Sequence, residues 1–265
     1  MTALDPGPAG AYWRALGAWL AQRAQAGQPL PTAIVAFSAH SLARVPIVLA
    51  AARFEAVHDF GGFPDALFQL RYDAPGAPAL ARRVAELLQG AGFSPQLSPE
   101  GGLDHGIWIP LRSLRPQADI PVVPVAFPPT FTPQQLFALG EAMRPLVDDG
   151  VLVLGTGSIT HNLRLGFRGN DAHTAPETPE STAFRDWFAS RAAARDWPAL
   201  LDWRAQAPHG PLMHPTDEHL LPWFIAAGAG GRDAPARRVH ASSTWGHLGM
   251  DVYAFGPDAA AVPAG

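Results

Sequence analysis

Two apolar rhythms alternate along most of the chain. Tyr12, Leu16, Trp19 and Leu20 recur at the three-and-four spacing of a helix face, and so do Leu80, Val84, Leu87 and Leu88. Leu136, Leu139, Gly140, Met143 and Val147 form a third stripe, and each stripe predicts an amphipathic helix. Between the stripes lie short apolar runs rich in Val and Ile, at residues 33–37, 46–50, 120–127, 151–154 and 251–255. Runs of that length and composition predict strands.

Strands alternating with helices predict an α/β fold: a single-domain layered structure with a central, mostly parallel or mixed sheet flanked by helices. Parallel neighbours need helical crossovers, which this order supplies. No repeat or linker divides the 265 residues, so one domain over 1–265 is expected. Pro121 and Pro124 cannot donate to a ladder, which places the 120–127 run at a sheet edge. Residues 170–206 start polar and Pro-rich and then carry Phe184, Trp187, Phe188, Trp197 and Trp203, predicting helices over one face or over the mouth of a site.

Composition narrows the chemistry. At 48% hydrophobic the chain can bury a sizeable core. Its 23 acidic and 19 basic residues, all the latter Arg, are scattered to a net charge of -4, so no basic stripe exists to bind nucleic acid. With no cysteine, disulfides, iron-sulfur clusters, thiolate metal sites and cysteine nucleophiles are excluded, and any metal must sit on His, Asp or Glu. Arg14 interrupts the first apolar stretch, and no apolar run reaches the ~18 residues of a membrane span. A cytoplasmic protein without membrane partners is expected, as a monomer or small homo-oligomer.

The ten histidines are informative by position. His40 comes where the first strand runs out, and His161 follows the 151–154 run and a glycine turn. Ligands of open α/β sheets gather outside the carboxyl ends of strands, so both imidazoles can reach one centre. His219 follows Thr216, a plausible N-cap, in what reads as the first turn of a helix, where the dipole disfavours imidazolium. His58 and Asp59 open a glycine-bearing loop, and His105 follows Asp104, a candidate cap; these positions suit substrate-facing or ligand-supporting groups. Trp108 and Trp223 stand beside the histidine motifs and could border an aromatic substrate, whereas His173, His209, His240 and His247 read as surface or packing residues. Taken singly, each histidine is more often structural than catalytic. No His-Glu-x-x-His or Gly-x-Ser-x-Gly motif occurs, and Gly155-Thr156-Gly157 reads as a tight turn.

Five stretches in order carry a resemblance: Ser38-Ala39-His40, His58-Asp59-Phe60-Gly61-Gly62-Phe63-Pro64, Gly102-Leu103-Asp104-His105-Gly106, Gly157-Ser158-Ile159-Thr160-His161-Asn162-Leu163 and Pro215-Thr216-Asp217-Glu218-His219-Leu220-Leu221-Pro222. Together they resemble the LigB-type class III extradiol dioxygenases, in the branch with bacterial and plant DOPA 4,5-dioxygenases. That resemblance implies a catecholic substrate cleaved with O2 at Fe(II), with Zn(II) in a resting form. It implies His40 and His219 as metal ligands, His161 as acid/base and further ligand, and His105 as a catalytic group lining the substrate pocket with His58. The family carries another metal histidine in a His-Gly-Ser-Pro motif, and no such motif precedes His40. Met1-Thr2-Ala3-Leu4-Asp5-Pro6-Gly7-Pro8 resembles the residues that follow that motif, so an N-terminal strand and a ligand are expected to be missing from the sequence as given, through a start codon assigned too late or through real loss. Two alternatives remain open: a non-catalytic relative that binds a metal or an aromatic compound, and a zinc-dependent hydrolase.

Overall fold

The structure is a computed structural model that describes Leu4 and residues 7–166, 173–234 and 236–265. The expectations placed on Asn170 and on Met1 lie outside the described residues.

Helix α1 (Gly7–Gln25) leads into β1 (Ala33–Ser38) and β2 (Ile47–Leu49). The short strands β3 (Arg53–Phe54) and β4 (Ala74–Pro75) flank a helical turn, α2 (Asp65–Phe68). Then come α3 (Pro78–Gly90), β5 (Gln96–Ser98), α4 (His105–Leu114) and β6 (Val122–Ala126). Next are α5 (Pro133–Glu141), α6 (Arg144–Asp148) and β7 (Val151–Thr156). The C-terminal part holds α7 (Pro179–Ala194), α8 (Trp197–Leu201), α9 (Trp203–Gln206), α10 (Gly210–Met213) and α11 (Leu221–Gly230). It ends with β8 (Ala236–His240), β9 (Ser243–Thr244), β10 (Leu248–Gly249) and β11 (Val252–Phe255).

The central sheet has the order β5-β2-β6-β1-β7. β1 runs parallel to both β6 and β7, β2 runs parallel to β5, and only the β2–β6 pair is antiparallel. All six residues of β1 are buried. Ala33, Val35 and Phe37 face a core shared with α3, α5, α7 and α11, while Ile34 and Ala36 face a smaller core with α1 and α4. Burial on both faces is why this run is continuously apolar rather than alternating.

Three expectations change. The 120–127 run lies inside the sheet, not at an edge. The Pro121 carbonyl accepts from Ile34 N–H, so Pro124 faces the β2 side, where pairing stops at Val125 and no amide is needed. The third apolar stripe is broken into α5 and α6, because Pro145 lacks an N–H and its ring clashes with the carbonyl four residues back. The 251–255 run pairs antiparallel with β8 in a separate two-stranded sheet, and β5 takes the fifth place in the main sheet. Gln96 and Leu97 of β5 are exposed, so no apolar signal announced it. The helices after residue 178 cover one face of the sheet: Phe184, Phe188, Trp197 and Trp203 all join the larger core.

On the other face α1 lies directly on α4. A Cβ added to Gly17 would sit 2.1 Å from the Leu114 carbonyl oxygen, so only glycine permits this approach.

Candidate metal centre and active site

In β1 and β7 Ser38 stands opposite Thr156, so the chain leaves both strands at one rim of the sheet. His40 and His161 follow these strand ends. His219 arrives from the other side, in the turn before α11, and is not in the first helical turn; Leu220 occupies the N-cap position. Pro222 near the start of the helix fixes where it begins, and Thr216 donates its hydroxyl to Glu218 at 2.8 Å instead of capping. A Cβ on Gly157 would meet the His219 carbonyl oxygen at 2.0 Å, and Ser158 N–H donates to that oxygen at 2.8 Å. The glycine turn after β7 thus lets the His219 segment come close.

His105 is the first residue of α4, with Asp104 as its N-cap. The buried Asp104 carboxylate accepts from Gly106 N–H at 2.8 Å, from the Ser38 hydroxyl at 2.6 Å and from the Ser41 hydroxyl. One carboxylate therefore ties the end of β1, the His40 turn and the start of α4 together.

These contacts bring four imidazoles into a file. Ring centroids lie 3.9 Å apart for His105 and His40, 5.0 Å for His40 and His219, and 3.4 Å for the nearly parallel rings of His219 and His161. Two carboxylates orient the file. Asp59 Oδ1 accepts from the His105 amide at 3.0 Å and from His105 Nδ1 at 2.8 Å, and Glu218 Oε1 lies 3.2 Å from His219 Nδ1. Each leaves Nε2 free, the arrangement that fixes the tautomer of a metal-binding histidine.

Electrostatics keep the centre rich in neutral donors. Desolvation of its ring, then the neighbouring His105 and His219 rings, push His40 down to about 4, although the residue as a whole is exposed. Burial, then His219 and His214, push His161 down to about 3. The hydrogen bond from His219 holds Glu218 down at about 2. Burial would raise Asp59, but the hydrogen bonds from His105 outweigh it and its carboxyl is lowered. Ligand atoms of His40, Asp59 and His105 all lie within 4.8 Å of one another. Imidazole and carboxylate donors without thiolate fit a borderline divalent cation such as Fe(II) or Zn(II).

The loop at 58–64 forms a wall beside the file. His58 Nε2 donates to the Leu70 carbonyl at 3.1 Å, and its ring packs among Phe60, Phe68 and Trp108. Trp108 is fully buried and donates its indole N–H to the Val57 carbonyl at 3.0 Å, so it props the loop from beneath. Phe60 stands edge-on to His105 at 5.5 Å. Trp223 does not border this site: it is buried among Phe188, Phe224, Tyr253 and Phe255. Phe60, Glu218 and the buried His214 were not singled out from the sequence, although all three lie within or beside its motifs. A carboxylate next to a candidate ligand was the readable sign for Glu218.

Among the described residues no helix is long and apolar enough to cross a membrane. Residues 3–256 match the family described as the catalytic LigB subunit of aromatic ring-opening dioxygenase. The chain is 35% identical over 226 residues to a protein of Beta vulgaris named 4,5-DOPA dioxygenase extradiol, covering 85% of this chain and 83% of that one. It is 34% identical over 230 residues to the Escherichia coli K12 protein of the same name, covering 82% and 76%. A crystal structure of an uncharacterized protein from Escherichia coli K12 superposes with a TM-score of 0.73 at 29% identity, covering 92% of this chain and 91% of that one. The chain belongs to the LigB family and is an extradiol, aromatic ring-opening dioxygenase.

Proposed function

We propose that this dioxygenase opens a catechol-type ring, DOPA-like or otherwise substituted, with O2 at Fe(II), and that Zn(II) fills the same site in a resting form. The supporting observation is the convergence of His40, His105, His161 and His219 at one rim of the sheet, with Asp59 and Glu218 orienting two of them. We assign His40 and His219 as ligands, with His161 beside them as acid/base and as a further donor in the resting site. When bound, the ion supplies the one-electron path between ring and dioxygen that their direct reaction lacks.

The residues of the chain handle substrate and protons. Asp59 keeps the His105 Nδ1–H engaged, which leaves His105 Nε2 to meet a catechol hydroxyl. His58 and Asp59, with Trp108 behind them, shape the wall against which the aromatic ring lies. His161 enters the reaction as a neutral ring, because its imidazolium is disfavoured. As a neutral ring stacked on His219 it is placed to accept a catechol proton and to return it later in the cycle. A reducing cytoplasm keeps such an ion ferrous, and a monomer or small homo-oligomer suffices because every assigned group comes from one chain.

The test is an oxygen electrode with the purified chain, Fe(II), a reductant and substituted catechols. Oxygen uptake with a yellow ring-opened semialdehyde is expected. A chain that binds metal and catechol without consuming oxygen would instead be a non-catalytic relative, and ester hydrolysis without oxygen would favour a zinc hydrolase.

A further inference from the structure

His214 is a buried titratable group with no part in the proposed reaction. It sits after α10 with no measurable exposure, its ring 5.5 Å from that of Phe184 and 5.3 Å from that of Trp203. Its Nε2 lies 2.7 Å from the carbonyl oxygen of Ile159. A carbonyl can only accept, so Nε2 carries the proton and donates. The neighbouring residues hold the same segment: His161 N–H donates to the Met213 carbonyl at 2.9 Å, and Asn162 Nδ2 donates to the Leu212 carbonyl at 2.6 Å.

The other flank of the segment is held by β10. Ile159 N–H donates to the Gly249 carbonyl at 3.0 Å, Gly249 N–H donates to Thr160 Oγ1 at 2.8 Å, and Thr160 donates its hydroxyl to the His247 carbonyl at 2.9 Å. Residues 158–162 thus belong to no strand of the main sheet and are fixed from two sides. On the α10 side, His214 supplies the one side-chain donor to the backbone of this segment among the described residues. The chain that carries His214 then continues to His219, whose ring stacks on that of His161.

We propose that His214 is a positioning residue for His161, acting through the Ile159 carbonyl and so setting where the acid/base ring stands against His219. The inference rests on the reading of His161 as acid/base. Proton transfer tolerates little displacement, and misplacing a reacting group by about 1 Å costs on the order of a hundredfold in rate.

Two variants test it in the full chain. His214→Leu removes the donor while filling the apolar pocket, and His214→Gln keeps an N–H at similar reach. Expected is a fall in kcat of about a hundredfold for the leucine variant with KM for a catechol little changed, and recovery to near wild type in the glutamine variant. Wild-type kcat in the leucine variant, an equal loss in the glutamine variant, or a KM rising in step would each overturn the assignment. Amide hydrogen exchange supplies a readout free of turnover. In the leucine variant the amides of residues 158–162 should exchange about tenfold faster while those of β1 and β7 do not, and in the glutamine variant they should stay slow. Unchanged exchange at His161, or acceleration spread over the sheet, would overturn it too. A wild-type chain that opens no catechol would count against the proposed function alone, since the exchange comparison still decides the role of His214.

Discussion

The four imidazoles of the file are assigned different work in the proposed function, and single substitutions should separate them. His40→Ala and His219→Ala are expected to lose bound metal, to be read by elemental analysis; a full equivalent retained in either would remove that residue from the ligand set. His161→Ala should still bind a catechol anaerobically but lose ring opening, and turnover at the wild-type rate would end its acid/base role. Glu218→Gln keeps the shape and removes the charge that partners His219 Nδ1. Metal affinity should then fall by about ten- to a hundredfold in a chelator competition, as is usual when a ligand loses its orienting carboxylate. At this scale the sequence is most legible where motifs carry the chemistry: His40, His161 and His219 stand out by position and motif alone, and they lie together. Phe60 and His214 do not stand out, because their importance lies in what they touch across the fold, whereas Glu218 shows only as a carboxylate beside a candidate ligand. The Ile159 carbonyl that accepts from His214 leaves no mark in the sequence.

Among the elements, the central strands are readable and their neighbours less so. β1 and β7 are apolar along their length and emerge from the sequence directly, whereas β5 is exposed and polar and carries no such signal. Pro124 misleads because its effect depends on which neighbour it faces, a property of register rather than of composition. Asp104 is recognisable as a helix cap, but its bonds to Ser38 and Ser41 belong to the packing of α4 against β1. Asp104→Ala should therefore cost more than a lost cap, which is typically ~1 kcal/mol. It also takes away the acceptor of the buried Ser38 hydroxyl proton, leaving that oxygen only the bond from the His40 amide and adding roughly 1–3 kcal/mol. Urea unfolding measures the sum, and a loss confined to the cap value would show that Asp104 does not join the two elements.

For the protein as a whole, the imidazoles held neutral, of which only His214 is fully buried, predict a dependence on acidity. Burial pushes His214 down to about 4, and burial with neighbouring rings pushes His40 to about 4 and His161 to about 3, from an ordinary value of 6.5. Between about pH 6.5 and about pH 3 the unfolded chain binds more protons than the native one. The stability these groups confer is thus full above that window, falls as the pH drops through it, and levels off below. Each unit of depression corresponds to ~1.4 kcal/mol for a fully buried group, less for the partly open His40. In metal-free protein the urea midpoint should decline from pH 7 to pH 4, and His214→Gln should make that decline shallower. A midpoint level across the range would contradict the neutral-imidazole picture.

The bare backbone contact of Gly17 on Leu114 reaches further than its place suggests. Because α4 starts with His105 and ends at Leu114, a side chain wedged in at position 17 would displace α4, and the far end of that helix carries the His105 ring proposed to meet the substrate. Random mutagenesis scored for weakened oxygen consumption should therefore recover changes at position 17 alongside those at the histidines. Such enzymes would be impaired by a lesion on the opposite end of a helix, with every group that meets the substrate still present.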